Sequence, residues 1–310
     1  MITALIGILI GTGLSFQTAV NSQLRKFVIS PYLASMISFV IGALSLAVIT
    51  LITGSPLGIS WGFISQQPIW IWLGGILGVI FLTVNILLFP KLGSVQTAIM
   101  PILGQIIMGM LIDNFGWFHS MKEPFDVYRI VGIALVMIGV FFAIAIQEVR
   151  SRREKTTEKN PNLWIWRLVG IGSGMLMSTQ VAINGQLGIV LHSSIQAAFV
   201  SFFIGALTLI IVVALKERTF AGVRNPIKQK AAWWVWLGGF LGAAYVLINI
   251  YLVGQVGTGQ TVVLVLFGQI AGSLLIQRLG LMGSYKTQID FIQIVGLVMI
   301  LAGVVLIRMF

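Results

Sequence analysis

Apolar residues fill this chain in runs of about 18 to 23, and the polar residues gather between the runs instead of alternating within them. A helical run of that length crosses a hydrocarbon core of about 30 Å at 1.5 Å per residue. The pattern predicts ten such helices, near 2–24, 31–53, 69–90, 94–112, 129–147, 164–187, 195–215, 233–253, 259–277 and 291–308. Spans of a β-barrel would be about half as long and would alternate in polarity, which these do not. The chain reads as an all-α polytopic membrane protein whose main partner is the lipid bilayer.

The order of polar and small residues along these runs occurs twice. Gln17-x-x-x-Asn21-x-Gln23-Leu24 returns as Gln180-x-x-x-Asn184-x-Gln186-Leu187, and Ser38-Phe39-x-x-Gly42-Ala43-Leu44 as Ser201-Phe202-x-x-Gly205-Ala206-Leu207, both at an offset of 163. At an offset of 164, Trp72-Leu73-Gly74-Gly75 returns as Trp236-Leu237-Gly238-Gly239, Asn85 as Asn249, and Gly104-Gln105 as Gly268-Gln269. The expected organisation is a first five-helix repeat over 1–147, a basic linker over 148–163 and a second five-helix repeat over 164–310.

Composition agrees: 58% of the residues are hydrophobic, 9% are charged, and the mean hydropathy is +1.02. With no cysteine, disulfides and thiolate metal sites are excluded. A net charge of +11 would suggest nucleic acid in a soluble protein, but here it serves topology, and no nucleic-acid partner is expected. If the loops are numbered by the helix they follow, odd loops hold sixteen basic residues, from Arg25 and Lys26 to Arg278 and Lys286, with Arg167 counted among them. Even loops and termini hold three, Lys122, Arg129 and Arg308. The bias predicts cytoplasmic odd loops and both termini outside. An odd number of helices per half sets the repeats in opposite orientation, and the charges follow. Arg25-Lys26 become Gly188-Ile189, while loop 54–68 has no basic residue and its partner 216–230 has five. Inverted-topology repeats of this kind are associated with alternating-access transport.

These motifs, with the opening Gly7-x-x-x-Gly11 and Trp72-Leu73-Gly74-Gly75-x-x-Gly78, resemble the drug/metabolite transporter superfamily, and within it the YdcZ-type inner-membrane exporters. The resemblance covers nearly the whole chain apart from the linker. It implies ten helices in two five-helix halves, in the inner (plasma) membrane of a bacterial-type cell. It also implies a central path lined by helices 1, 3, 4, 6, 8 and 9, with helices 5 and 10 peripheral.

Polar side chains inside a span are costly unless they face protein or water, so they are the candidates for function. Gln105 and Gln269, near the middles of equivalent spans, are expected to face each other across the pseudo-two-fold axis. With Asn85 and Asn249 they form the candidate substrate site, since amides suit a polar or zwitterionic solute. Gln17 and Asn21 share a helical face, as do Gln180 and Asn184, and these four are the candidate gate or cavity-lining residues, divided between two mouths. For each amide the alternative is hydrogen-bonded glue between helices. Capping is the expected work of Gln96-Thr97 and Gln260-Thr261 at helix starts, and of Asp126 and Asp290. Every carboxylate, Asp113 included, falls in a loop or at a span end, unlike the intramembrane Glu of small multidrug antiporters in the same superfamily. Gly7/Gly11, Gly74/Gly78, Gly238/Gly242 and Gly268/Gly272 read as close-packing surfaces. Pro101 is expected to kink its helix, and the tryptophans cluster at span ends as an interfacial belt. His119 and His192 stand alone, and no hydrolase, metalloprotease or phosphate-loop motif is present, so neither enzyme, metal site nor cofactor is expected. The resulting expectation is a secondary carrier exporting a small polar organic solute, as a monomer or homodimer. The alternative is a non-transporting structural or lipid-handling membrane protein. A water-filled, amide-lined centre would favour the carrier, and a dry centre or a lateral apolar groove the alternative.

Overall fold

The computed structural model describes residues 2–120, 122–153, 163–284, 286, 288 and 290–309. Residues 154–162, most of the predicted linker, lie outside that set, as does the side chain of Gln260. The described backbone is helical, without strands. The helices are α1 (Ile2–Val28), α2 (Pro31–Ile52), α3 (Trp61–Gln66), α4 (Gly74–Phe115), α5 (Val127–Arg153), α6 (Leu163–Val190), α7 (Ser194–Lys216), α8 (Asn225–Lys228), α9 (Gly238–Leu279) and α10 (Phe291–Met309). Among the described residues, six segments are long and apolar enough to cross a membrane: α1, α2, α4, α7 and the two parts of α9, Gly238–Val256 and Thr261–Leu279.

Local chemistry sets several of the ends. Ser30 and Ser193 accept the backbone N–H groups of Leu33 and Gln196 at the starts of α2 and α7. Asp126 does the same for α5, its carboxylate accepting the Arg129 N–H at 2.8 Å, as the sequence predicts. Left-handed Gly116 and Gly280 close α4 and α9.

Helices α4 and α9 each merge two of the expected spans, with no loop between them. At 42 residues each would extend about 63 Å if straight, twice a hydrocarbon core. Instead each folds back. Gly74, Gly78 and Leu88 of α4 meet Asn184, Gln180 and Gly170 of α6, an antiparallel order. Beyond the bend, Met100 meets Gly170, Pro101 meets Gly174 and Gly104 meets Ile171 and Met175, a parallel order. A Cβ built on Gly170 would stand 2.8 Å from Met100 and 3.3 Å from Leu88, and only a reversal brings residues twelve apart to one point. The reversal is at Gly93 (φ 76°, ψ 175°), a conformation essentially confined to glycine. Likewise, Gly238 and Gly242 of α9 meet Asn21 and Gln17 of α1 in antiparallel order, then Leu264 and Gly272 meet Gly7 and Thr12 in parallel order.

The main contacts are therefore exchanged between the halves: α1 with α9, α6 with α4, α2 with α7, and α5 with α10. Small residues make them possible. A side chain at Gly11 or Gly268, both in the expected stripes, or at Gly104 or Gly174, which those stripes do not include, would run into backbone of the facing helix. Phe39 lies against Gly205 and Phe202 against Gly42, bringing the two rings to 4.9 Å where α2 crosses α7. Hydroxyls reinforce the α1–α9 seam, Thr12 donating to the Gly268 carbonyl and Ser15 to that of Gln269.

Candidate functional site

Four clefts open between α1, α4, α6 and α9. The first, of about 520 Å³, brings Gln105 and Asp113 of α4 together with Ser178 of α6 and Tyr245 and Asn249 of α9. The second, of about 290 Å³, brings Gln269 and Ser273 of α9 together with Ser15 and Thr18 of α1 and Asn85 of α4. By the repeat offsets Gln105 corresponds to Gln269, Asn249 to Asn85, Ser178 to Ser15 and Gly109 to Ser273, so the first two clefts are counterparts. A third, of about 330 Å³, is its own counterpart: Gln17 and Gln180, Phe39 and Phe202, Gly78 and Gly242, Phe81 and Tyr245 all line it. It therefore lies where the two halves meet. A fourth, of about 210 Å³, places Asn184 beside Gln180, Tyr245 and Asn249.

This arrangement differs from the expected one in three respects. Gln105 and Gln269 do not face each other, for they line separate clefts, each beside the Asn of the opposite half. The pair that shares one cleft is Gln17 and Gln180, expected at opposite mouths. The cause is the crossing of α1 and α6 with the first arms of α9 and α4, which turns Gln17 toward Gly242 and Gln180 toward Gly78. Asn21 lines none of the four described clefts: it is fully buried against Gly238 and its amide donates to the Ser38 hydroxyl at 3.3 Å.

The amides are short of partners. Asn85 Oδ1, Gln105 Nε2, Gln180 Oε1, Asn184 Oδ1 and Gln269 Oε1 are buried with no hydrogen bond, and so is Asn21 Oδ1, away from the clefts. A buried amide atom left unsatisfied costs about 1–3 kcal/mol, so polar groups in this state are expected to meet water or a solute during function. Hydrogen-bonded glue would look different. Ser35 with Thr83 at 2.9 Å, and Gln293 donating to Gln277, are examples of it in the same molecule.

Several contributors were not expected from sequence. Asp113 stands one residue beyond the predicted span end, yet it is buried in the last turns of α4 and lines the first cleft, about 12 Å along the helix from Gln105. Tyr245 lines three of the clefts and receives the Asn249 amide at 3.3 Å. Its counterpart is Phe81, and nothing in a hydropathy pattern marks the difference. Arg167 is not a loop residue. It is 2% exposed in the second turn of α6, beside the Trp164 ring at 4.8 Å, and its Nε donates to Gln96 at 3.2 Å. Gln96 is thereby bound to an arginine, and Thr97, also expected to cap, leaves its hydroxyl without a partner.

Buried amides lining clefts between two matched halves are the architecture of duplicated polytopic transporters. The chain belongs to the family described as "Putative inner membrane exporter, YdcZ", which matches residues 2–142 and 165–306, two stretches separated by the same offsets as the repeat. It is thus a multi-pass inner-membrane protein of an exporter family. It is 39% identical over 67 residues to "Uncharacterized protein y4nH" of Sinorhizobium fredii (strain NBRC 101917 / NGR234), a match over 21% of this chain and 56% of that relative's length. A crystal structure of a protein sharing 15% identity, covering 99% of this chain and 96% of the other, is similar with a TM-score of 0.62, a likeness of fold alone.

Proposed function

We propose that the protein is a secondary carrier that exports a small polar organic solute by alternating access between two inverted five-helix halves. In this reading α4 and α9 each cross the membrane twice, giving ten spans, with odd loops in the cytoplasm and both termini outside. The second cleft then lies toward the cytoplasm and the first toward the outside. Gln17 and Gln180, with the Phe39–Phe202 contact, occupy the point that both faces share.

The observation carrying this reading is that Gln180, Gln105, Asn85 and Gln269 each hold a buried amide atom without a partner and line the central cleft or one of the two flanking clefts related by the repeat. A lipid-handling protein would instead place apolar side chains along its groove. The test is uptake and counterflow of labelled amino acids, sugars, nucleosides, carboxylates and amines in proteoliposomes, with and without a pH gradient. Saturable flux of one class, lost in Gln180→Met, is the expected result. No flux of any class, with scrambling of fluorescent phospholipid in the same vesicles, would overturn it.

A further inference from the structure

The second cleft contains more than its two amides. Thr12, Thr18, Ser45, Thr50, Thr179 and Thr208 each donate a hydroxyl to the carbonyl four residues earlier, as helical hydroxyls in an apolar setting do. Ser94 and Thr97 do not. For Thr97 the carbonyl four residues back belongs to Gly93, whose ψ of 175° turns it out of the helical line. Both hydroxyl oxygens are buried without a partner, and both line the second cleft. Ser94, Thr97, Asn85 and Gln269 are 7%, 3%, 2% and 4% exposed, so four buried polar side chains, each with one oxygen left without a partner, converge on one narrow cleft that opens to solvent.

The two hydroxyls offer hydrogen-bond donation, whereas Asn85 and Gln269 present their oxygens, which accept, and become donors only on turning. A hydroxyl can always turn its proton outward, and an amide can present NH₂ by rotating end for end. The reversal at Gly93 also makes residues 94–97 the first turn of a new helical arm, whose N–H groups and dipole favour negative charge. Three cations stand on neighbouring segments, none of them lining the cleft itself. Arg25 donates to the carbonyl of Ile86, next to Asn85, Lys91 sits 4.4 Å over the Trp166 ring, and Arg167 is bound to Gln96, next to Thr97. No acidic side chain lines this cleft, whereas Asp113 lines its counterpart. Phe89 and Ile276 supply an apolar wall.

We infer that the second cleft is a carboxylate subsite: it takes an organic acid, its anionic end on Ser94, Thr97 and the start of the arm, its hydrocarbon against Phe89 and Ile276. This rests on the carrier reading and gives it a substrate class. The break at Gly93 is what frees the hydroxyls for the ligand.

The test is ligand-induced thermal stabilisation of the purified protein in detergent, which needs no flux. The probes are benzoate and lactate, each against its amide, with benzylamine as the cation. Expected is a rise in Tm with at least one acid and none with its amide, and apparent affinity at least about tenfold weaker in Thr97→Val and in Ser94→Ala. Both substitutions delete an unpartnered hydroxyl, so both variants should fold with an unliganded Tm at or above that of the parent. Equal shifts from acid and amide, a shift from benzylamine alone that is lost in Asp113→Asn, no shift from any probe, or an acid shift unchanged in both variants would each overturn the proposal. An acid that binds but is not carried in proteoliposomes would refute the carrier reading and leave the subsite standing. Carriage of a neutral or cationic solute without acid binding would do the reverse.

Discussion

Replacing Gln180 with Met separates a solute-binding amide from helix glue by the sign of the stability change. Gln180 Oε1 is buried without a donor, and the amide lies against Gly78 of α4, facing the cleft it shares with Gln17. If that amide held α6 to α4, losing it would destabilise the fold by about 0.6–1.7 kcal/mol, the range for interhelical hydrogen bonds in membranes. The geometry argues the opposite. Methionine keeps the length and flexibility of the side chain while removing a desolvated carbonyl whose penalty is about 1–3 kcal/mol. The expected change is a gain of about 1 kcal/mol, together with loss of saturable flux. Equilibrium unfolding of the purified protein in mixed micelles with increasing SDS, followed by tryptophan fluorescence, measures the first, and counterflow measures the second. A variant destabilised by more than about 0.6 kcal/mol that still carries solute normally would refute the assignment and make Gln180 structural.

Other outcomes follow from the packing. Gly104→Ala should destabilise by about 1–3 kcal/mol or more, because its Cβ would run into the Ile171 carbonyl, while Gly172→Ala, which meets nothing within 4 Å, should be neutral or stabilising by about 1 kcal/mol; the same SDS titration compares them. Gly93→Ala has ample room but a forbidden backbone, so a loss of about 1–3 kcal/mol is expected from strain alone, and an unchanged midpoint would contradict a true reversal there. Because the chain has no cysteine, single substitutions report topology directly. Lys122→Cys should react with an impermeant maleimide in intact cells and Lys228→Cys only after lysis, and the reverse pattern would invert the proposed orientation.

Much of the architecture is legible before any coordinates, since its causes are local or periodic. Apolar length marks the helices, the offsets of 163 and 164 mark the duplication, and the glycine spacings mark surfaces that meet a facing helix, at Gly11 and Gly268 its backbone and at Gly74, Gly78, Gly238 and Gly242 its amide side chains. The runs near 69–90 and 94–112 also mark the two arms of α4, but only the backbone at Gly93 shows that no loop separates them. What a repeat cannot convey is distance from the axis. It states that Gln17 matches Gln180 and Gln105 matches Gln269, and both pairs satisfy that statement equally. Which pair shares a cleft depends on how α1 crosses α9 and α6 crosses α4, a non-local outcome of small residues on four helices. Hydropathy also misplaces single charges that protein contacts satisfy: Arg167, bonded to Gln96, reads as a loop residue although it is buried.

The two halves share their packing residues and their cleft amides but differ at particular cleft-lining side chains. Gly74, Gly78 and Gly104 of the first half recur as Gly238, Gly242 and Gly268, and Phe39 recurs as Phe202. Asp113, by contrast, faces the first cleft where the second half has Gln277, and Tyr245 stands where the first half has Phe81. Packing must repeat because each seam is made by one half against the other, so a change in either half disturbs equivalent contacts. Cleft chemistry is under no such constraint, because a solute that enters by one face and leaves by the other gains from unlike ends. A cleft of donors amid basic residues would capture an organic acid, and a counterpart bearing Asp113 would repel the same acid and favour its release. In the proposed orientation that gradient runs from cytoplasm to exterior, the direction of export.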